Sequence, residues 1–370
     1  MIRGSKSVIA VSSLVVVGAV QTVAHAKDVT FGGNARAFAM GGAGVAVVDR
    51  SERSNAINPA SLALTDRKSK LSFPQIGVAA HGIPIKQAYD HLIRNPSSND
   101  AVSLARDFGN QDSSFGAGVA WGLKLGHNDI TATGIGEVRV QPNISLINWS
   151  NTANGNVALL TGNERADIIG AAIYSLPIVG VAERVSPLGS PTQVDAGARV
   201  KLSRAMYSHY VVNSTNIAAN TGAAPAPEMN GDSVLGKNGI GIDVGFLVHP
   251  AHHTGLSGAI VITDLLEPNF RFNGTDRTGA AAKYDLQPRS ITLGSAYENG
   301  RVLVAADIVD ITRAYGNVQG RTGIEYRVKK FAFQTGYSSA RGFTAGVGYR
   351  AFQIAVGSRT PLEIAQTLRF

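Results

Sequence analysis

Along most of the chain, large apolar residues alternate with small or polar ones. Phe115, Ala117, Val119, Trp121, Leu123 and Leu125 are interleaved with Gly116, Gly118, Ala120, Gly122 and Lys124. Ile240, Ile242, Val244, Phe246 and Val248 are interleaved with Gly241, Asp243, Gly245 and Leu247, and the same period runs through 331–337, 343–349 and 352–356. A period of two is that of a β-strand with one apolar face. Fourteen segments carry it: 69–80, 114–125, 129–147, 165–184, 193–213, 238–249, 255–268, 288–298, 301–311, 319–328, 331–338, 342–350, 352–358 and 361–370. An apolar face opposite a small or polar one suits a wall between lipid and an internal cavity. The predicted fold is therefore all-β, a membrane-spanning antiparallel β-barrel of about 14 strands, an even number as single-chain bacterial barrels have.

The connections between these segments support the count. If the last strand runs inward, the inner set is 126–128, 185–192, 250–254, 299–300, 329–330 and 351, mostly short. All the long connections, 81–113, 148–164, 214–237 and 269–287, fall in the outer set, which is the usual asymmetry of such barrels. Within the first of them, Ile85, Ala88, Tyr89, Leu92 and Ile93 recur at helical spacing, as do Ala101, Leu104, Ala105 and Phe108, so a helical outer loop is expected over about 83–108. The 214–237 loop, with Pro225, Pro227 and Gly231, reads as mobile.

The ends of the chain set an address. Arg3 and Lys6 precede an apolar run from Val8 to Val20, and Ala24-His25-Ala26 has the A-x-A form of a cleavage site. The run is shorter than the ~20 residues a membrane-spanning helix needs. Residues 1–26 are read as a secretory signal cut after Ala26, leaving a hatch-like segment 27–67 and a barrel 68–370. The terminal Phe370 resembles the aromatic sorting signal of bacterial outer-membrane barrels. Outer-membrane lipid and the barrel-assembly machinery are the expected partners.

Composition narrows the chemistry. There is no cysteine, which excludes thiol catalysis, disulfides and cysteine-ligated metals. The net charge of +8 is not gathered into a Lys/Arg tract, so no nucleic-acid partner is expected. Only 16% of residues are charged and 42 are glycine, as a wall with one small or polar face requires.

Residues 31–67 do not alternate and are rich in glycine and alanine. Gly41-Gly42-Ala43-Gly44 lacks the Gly-Lys-Ser/Thr ending of a phosphate loop, so no nucleotide cofactor is expected. The element Ala35-Arg-Ala-x-x-Met-Gly-Gly-Ala-x-Val-Ala46, followed by Asn58-Pro59-Ala60, resembles the N-terminal hatch of barrels related to the long-chain fatty-acid transporter FadL, in the conjugal-transfer TraF-like branch. Leu286–Tyr297, Ala305-Ala-Asp307, Gly323–Tyr326, Gly336-Tyr337 and Gly346–Gly348 extend the resemblance toward the C-terminus. The resemblance implies a 14-stranded barrel plugged by a hatch, with Gly41, Gly42, Asn58, Pro59 and Ala60 as hatch or gating residues. It also implies passive uptake of hydrophobic molecules such as fatty acids, through a moving hatch or sideways through the wall.

Alternation places Asp243, Asp307, Glu325, Arg327 and Arg350 on the lumen side, with Gln334, Gln353, Glu363 and Arg369. Charges inside a closed wall need partners, so they are expected to hold the plug. Arg327 and Arg350 would also suit a ligand carboxylate. His249-Pro-Ala-His252-His253 has metal-like spacing, but Pro250 and its place on a turn argue against a metal site. No G-x-S-x-G and no Ser/His/Asp order marks a hydrolase, so neither an enzyme activity nor a catalytic residue is expected. The expected role is passive transport or binding of hydrophobic molecules around an Asn58-Pro59 hinge. The rival is a sealed barrel whose outer loops dock protein partners in secretion, conjugation or surface assembly.

Overall fold

The structure, a computed structural model, describes residues 35–48, 57–64, 70–81, 109, 112–153, 156–187, 189–215, 234–251, 255–275, 280–314, 316–340, 342–350, 352–358 and 362–369. The signal segment, the expected helical loop at 83–108 and Phe370 lie outside the described residues. The strands are β1 (Lys70–His81), β2 (Ser113–Leu125), β3 (Asn128–Pro142), β4 (Arg165–Arg184), β5 (Thr192–Asn213), β6 (Val234–Pro250), β7 (Gly255–Leu266), β8 (Arg271–Thr275), β9 (Ala281–Asp285), β10 (Ser290–Asn299), β11 (Val302–Val309), β12 (Gln319–Val328), β13 (Phe331–Ser338), β14 (Gly342–Tyr349), β15 (Phe352–Gly357) and β16 (Leu362–Arg369).

Fourteen of them close into one antiparallel barrel, β1 sealing the ring against β16 and β7 pairing directly with β10. β8 and β9 form a separate hairpin. Closure leaves no sheet edge, which is what a bilayer demands of a strand-built span. The alternation sets the facing. Phe331, Phe333 and Tyr337 of β13, Phe343, Val347 and Tyr349 of β14, and Phe352, Ile354 and Val356 of β15 point outward and are exposed, while Gln334, Thr344 and Gln353 are buried inside. An apolar band on this scale has no place in water and faces lipid. No helix among the described residues is long and apolar enough to cross a membrane.

The wall is uneven. β11 and β13 have 8 residues each, whereas β4 and β5 have 20 and 22. About 9–11 residues suffice to cross a bilayer, so β4 and β5 project past the rim. Their outer ends carry two elements the alternation did not predict. The strand expected over 129–147 stops at Pro142, and α2 (Ile144–Thr152) follows. Asn143 caps it, its side chain accepting from the Leu146 N–H at 2.9 Å. Leu146 and Trp149 of α2 pack on Ala166, with Val140 and Val212 alongside, which lie on the outward side of β3–β5. The second element is the β8–β9 hairpin, which lies in a stretch expected to be a plain loop and folds into the lumen.

Candidate functional site

The lumen is crossed by the hatch. Its α1 (Ala35–Ala39) lies against β13–β16, and its 3-10 turn (Pro59–Leu64) lies against β4–β6. In the ring order β14 and β5 are diametrically opposite, so the two hatch pieces bridge facing walls. Glycine makes the close approach possible. A Cβ on Gly323 or Gly336 would overlap the backbone of Met40, and one on Gly197 would overlap that of Pro59. Within the hatch, Gly41 and Gly42 both hold positive φ, +71° and +84°, which brings the Gly42 N–H back to the Ala37 carbonyl at 2.7 Å.

Polar contacts at several points fix the hatch to the wall; Ser257, for one, donates to the Ala46 carbonyl at 2.7 Å. Arg36 grips Glu325 with two hydrogen bonds of 2.6 and 2.9 Å. Asp307 accepts the N–H groups of Gly44 and Val45 at 2.7 and 3.2 Å. Thr344 accepts from the Gly41 N–H and donates to the Ala39 carbonyl, both at 2.9 Å. Asn58 donates to the carbonyls of Val45 (2.9 Å) and Phe246 (3.2 Å) and accepts from the Ala60 N–H. Asn58, expected at a hatch hinge, is in this structure a buried tie joining both hatch pieces to β6. Replacing it with alanine strands buried backbone groups. It should cost about 1–3 kcal/mol, read as a lower urea midpoint, with the hatch more open to added protease.

The lumen-facing side of β5 gives the heights of the remaining layers, one every second residue. Gly197 meets the hatch. Arg199 pairs with Asp129 at 2.8 Å. Lys201 sits between Asp243 and Asp264, 2.7 Å from each. Ser203 meets Ser175 at 2.5 Å. Above them Ala205 and Tyr207 pack with Ile169, Phe270, Phe272 and Leu286 in an apolar layer, Tyr284 beside it. Tyr207 stacks on Phe272 (5.1 Å between centroids) and on Tyr284 (5.6 Å). His209 then meets Asp167 at 2.7 Å, and Arg165 holds the same carboxylate.

The hairpin supplies Phe272 and Tyr284, so it closes the outer lumen as a lid. Arg271 pairs across the hairpin with Asp285 and, at the hairpin's root, with Glu267, from an exposed position, and such pairs contribute little. Lys237 donates to the Arg271 carbonyl and lies over the Phe272 ring, 5.0 Å from its centroid. Deeper down, Gln287, two residues beyond β9, donates to Asp264 at 2.9 Å. At this depth the wall itself is interrupted. The β6–β7 ladder jumps from Ile242↔Leu266 to Val244↔Ile262, and Asp264 bulges inward at φ +55°.

The residues expected in the lumen divide by role. Asp307 and Glu325 hold the hatch, and Asp243 belongs to the Lys201 layer. Arg327 is engaged by Glu325 (2.5 Å) and Glu298 (2.6 Å), so it is not waiting for a ligand carboxylate. Arg350 requires correction. It lies on the β14–β15 turn at φ +52°, exposed, over the Tyr349 ring at 5.5 Å, because the strand ends one residue earlier. His249 is buried against Asp195 (2.7 Å) and its other ring nitrogen faces the Pro250 carbonyl, so both nitrogens are engaged. His252 and His253 lie outside the described residues.

The chain is structurally similar to the TodX monoaromatic hydrocarbon channel deltaS2 mutant, with 13% identity over 91% of this chain and 96% of that one, TM-score 0.46. A crystal structure of the Pseudomonas putida toluene transporter TodX gives 14% identity over 90% and 95%, TM-score 0.45. Outer membrane phospholipase A from Escherichia coli gives 8% over 82% and 92%, TM-score 0.27. Identities this low carry no substrate across. No curated protein sequence matches the chain. A family profile described as F plasmid transfer operon, TraF, protein matches residues 100–308, more than half of the length, and the chain belongs to that family.

Proposed function

We propose that this protein is a bacterial outer-membrane barrel that admits or binds small hydrophobic molecules, fatty acids among them, without an energy source. The supporting observation is the aromatic layer of Tyr207, Phe270, Phe272 and Tyr284, set apart from the apolar hatch contacts by the polar Arg199 and Lys201 layers. A water-filled pore has a polar lining throughout. An apolar layer beneath a loosely tied lid suits capture of an apolar solute, and the resemblance to FadL-related hatches points the same way. In this mechanism the solute displaces the β8–β9 hairpin. It is then held against Tyr207 and passes when the hatch shifts or through the interrupted β6–β7 seam. The proposal assigns the protein no catalytic step.

The hatch part is tested with an engineered cross-link. Ala39 of the hatch and Ala355 of β15 share one buried cluster, and the cysteine-free background leaves Ala39→Cys with Ala355→Cys as the only thiols. Under oxidation, uptake of labelled fatty acid by cells should fall to that of cells lacking the protein. A reductant should restore it, with the folded, heat-modifiable gel band unchanged throughout. Uptake that persists in the oxidised protein excludes passage past the hatch.

One observation favours the sealed-scaffold reading instead: the hatch is tied to opposite walls by the Arg36–Glu325 ion pair and by buried hydrogen bonds. Uptake equal with and without the protein, together with a stoichiometric protein partner that dissociates when outer loops are shortened, would establish that reading.

A further inference from the structure

We propose that the inner rim between β10 and β15 is a binding surface for the phosphate headgroups of anionic phospholipids. The inference rests on the outer-membrane reading for its depth and orientation. Three successive hairpin turns carry Arg301, Lys329 with Lys330, and Arg350, all exposed. The turns are contiguous: the Arg327 N–H donates to the Arg301 carbonyl at 2.8 Å, and the Arg350 N–H to the Lys330 carbonyl at 3.0 Å. Among the described residues none of these four cations is in an ion pair. Glu298, the acid beside them, is engaged by Arg327.

Immediately above the turns stands an outward row of aromatic residues. Tyr297, Tyr326, Phe331, Tyr349 and Phe352 are each 40–47% exposed and sit at strand ends next to the four cations. Aromatic rows of this kind lie at the membrane–water interface. The cations, one or two residues further out, then lie at headgroup depth, where long basic side chains reach lipid phosphate. The other end of the same strands also carries arginines, Arg289 and Arg313 among its described residues, so it is the aromatic row and the contiguity of the turns that single out this rim.

Continuity with the lipid-facing wall selects the partner. An acidic protein would meet the cations but not the aromatic row, which lipid already covers. A zwitterionic headgroup brings its own ammonium against the four positive charges, so the surface prefers headgroups with net negative charge.

Native mass spectrometry of the full chain in neutral detergent, titrated with phosphatidylglycerol, cardiolipin and phosphatidylcholine, tests this. Anionic lipid should be retained over phosphatidylcholine by about five-fold for each cation that reaches a phosphate. Combining Arg301→Gln, Lys329→Asn, Lys330→Gln and Arg350→Asn should abolish that preference; asparagine tolerates the positive φ of positions 329 and 350. Should this variant not give the folded gel band, Arg301→Gln with Lys330→Gln leaves both strained positions intact and should still reduce the preference. Equal retention of phosphatidylcholine, or an unchanged preference in a folded variant, overturns the proposal. So does loss of a co-purified acidic protein with lipid adducts unaltered. Orientation is read separately, by labelling Ser190→Cys on the β4–β5 turn. Labelling in intact cells would overturn the orientation while leaving lipid retention in detergent untouched.

Discussion

Replacing Gly336 with valine should unplug the barrel. A Cβ at this position would overlap the backbone of Met40 and Gly41, so either β13 or the hatch has to move. β13 is paired along its whole length with β12 on one side and β14 on the other, and moving it breaks both ladders. The hatch at this level is a five-residue helix and a two-glycine turn, held by Arg36–Glu325 and by Thr344. It is the weaker side. Overpacking of this kind costs about 1–3 kcal/mol, which lowers hatch docking by roughly five- to 150-fold. The β8–β9 lid still covers the lumen in this variant, so the readout is proteolysis: protease should cut the hatch faster than in the parent. Gly134 faces outward with Val119 at 3.6 Å from a built Cβ, so Gly134→Val is the matched control. An unchanged cutting rate in a folded Gly336→Val protein would mean that the wall yields and the plug is stiffer than its short helix suggests.

What the sequence disclosed follows from the range of each interaction. The barrel was legible because a strand's facing is a local, repeating property. Phe331, Phe333 and Tyr337 declare β13 without reference to any neighbour, and the fourteen predicted segments are the fourteen strands of the ring. Asp307 and Glu325 could be picked out as acids on the small face of apolar strands. Their partners could not: Arg36 lies 289 residues from Glu325 and Gly44 lies 263 from Asp307, and no local pattern connects them. The hatch itself was seen through the resemblance of Ala35–Ala46 and Asn58-Pro59-Ala60 to FadL-related hatches, since no alternation marks it.

The lid was missed for a different reason. Phe270 and Phe272, and Tyr284 and Leu286, do alternate, but each strand of the hairpin has only five residues. Such runs are too short to separate from a loop without the β4–β5 face they pack on. α2 did leave a local trace, the Asn143 cap, overridden by the alternation of Val138 and Val140 that leads up to it. Arg350 was misplaced by carrying an alternation one residue past its strand. The Lys201 layer was half visible. Asp243 stood out between apolar neighbours, whereas Asp264 is turned inward by a bulge that shifts the register, and a bulge hides the facing of the residue it moves.

That layer carries the largest expected loss of stability. Lys201 lies 2.7 Å from Asp243 and 2.7 Å from Asp264, and the three side chains are 9%, 15% and 1% exposed. The Asp264 N–H donates to Asp243, and Gln287 donates to Asp264, so β5, β6, β7 and the root of the lid meet at one ammonium group. Lys201→Met removes the cation and leaves two carboxylates facing each other out of water. Breaking a buried pair by removing one partner costs about 3–5 kcal/mol. The loss should appear as a lower urea midpoint in lipid vesicles, followed by tryptophan fluorescence. Adding Asp243→Asn and Asp264→Asn to Lys201→Met removes the stranded charges and keeps an acceptor for Gln287, so most of the loss should be recovered. Recovery separates charge burial from packing: a methionine that merely fits badly would leave the triple variant as unstable as the single one. A single-variant loss below about 1 kcal/mol, the range of exposed pairs, would show that water reaches this layer. The polar lumen between hatch and lid would then be wet, bounded by the aromatic layer on one side and the apolar hatch contacts on the other.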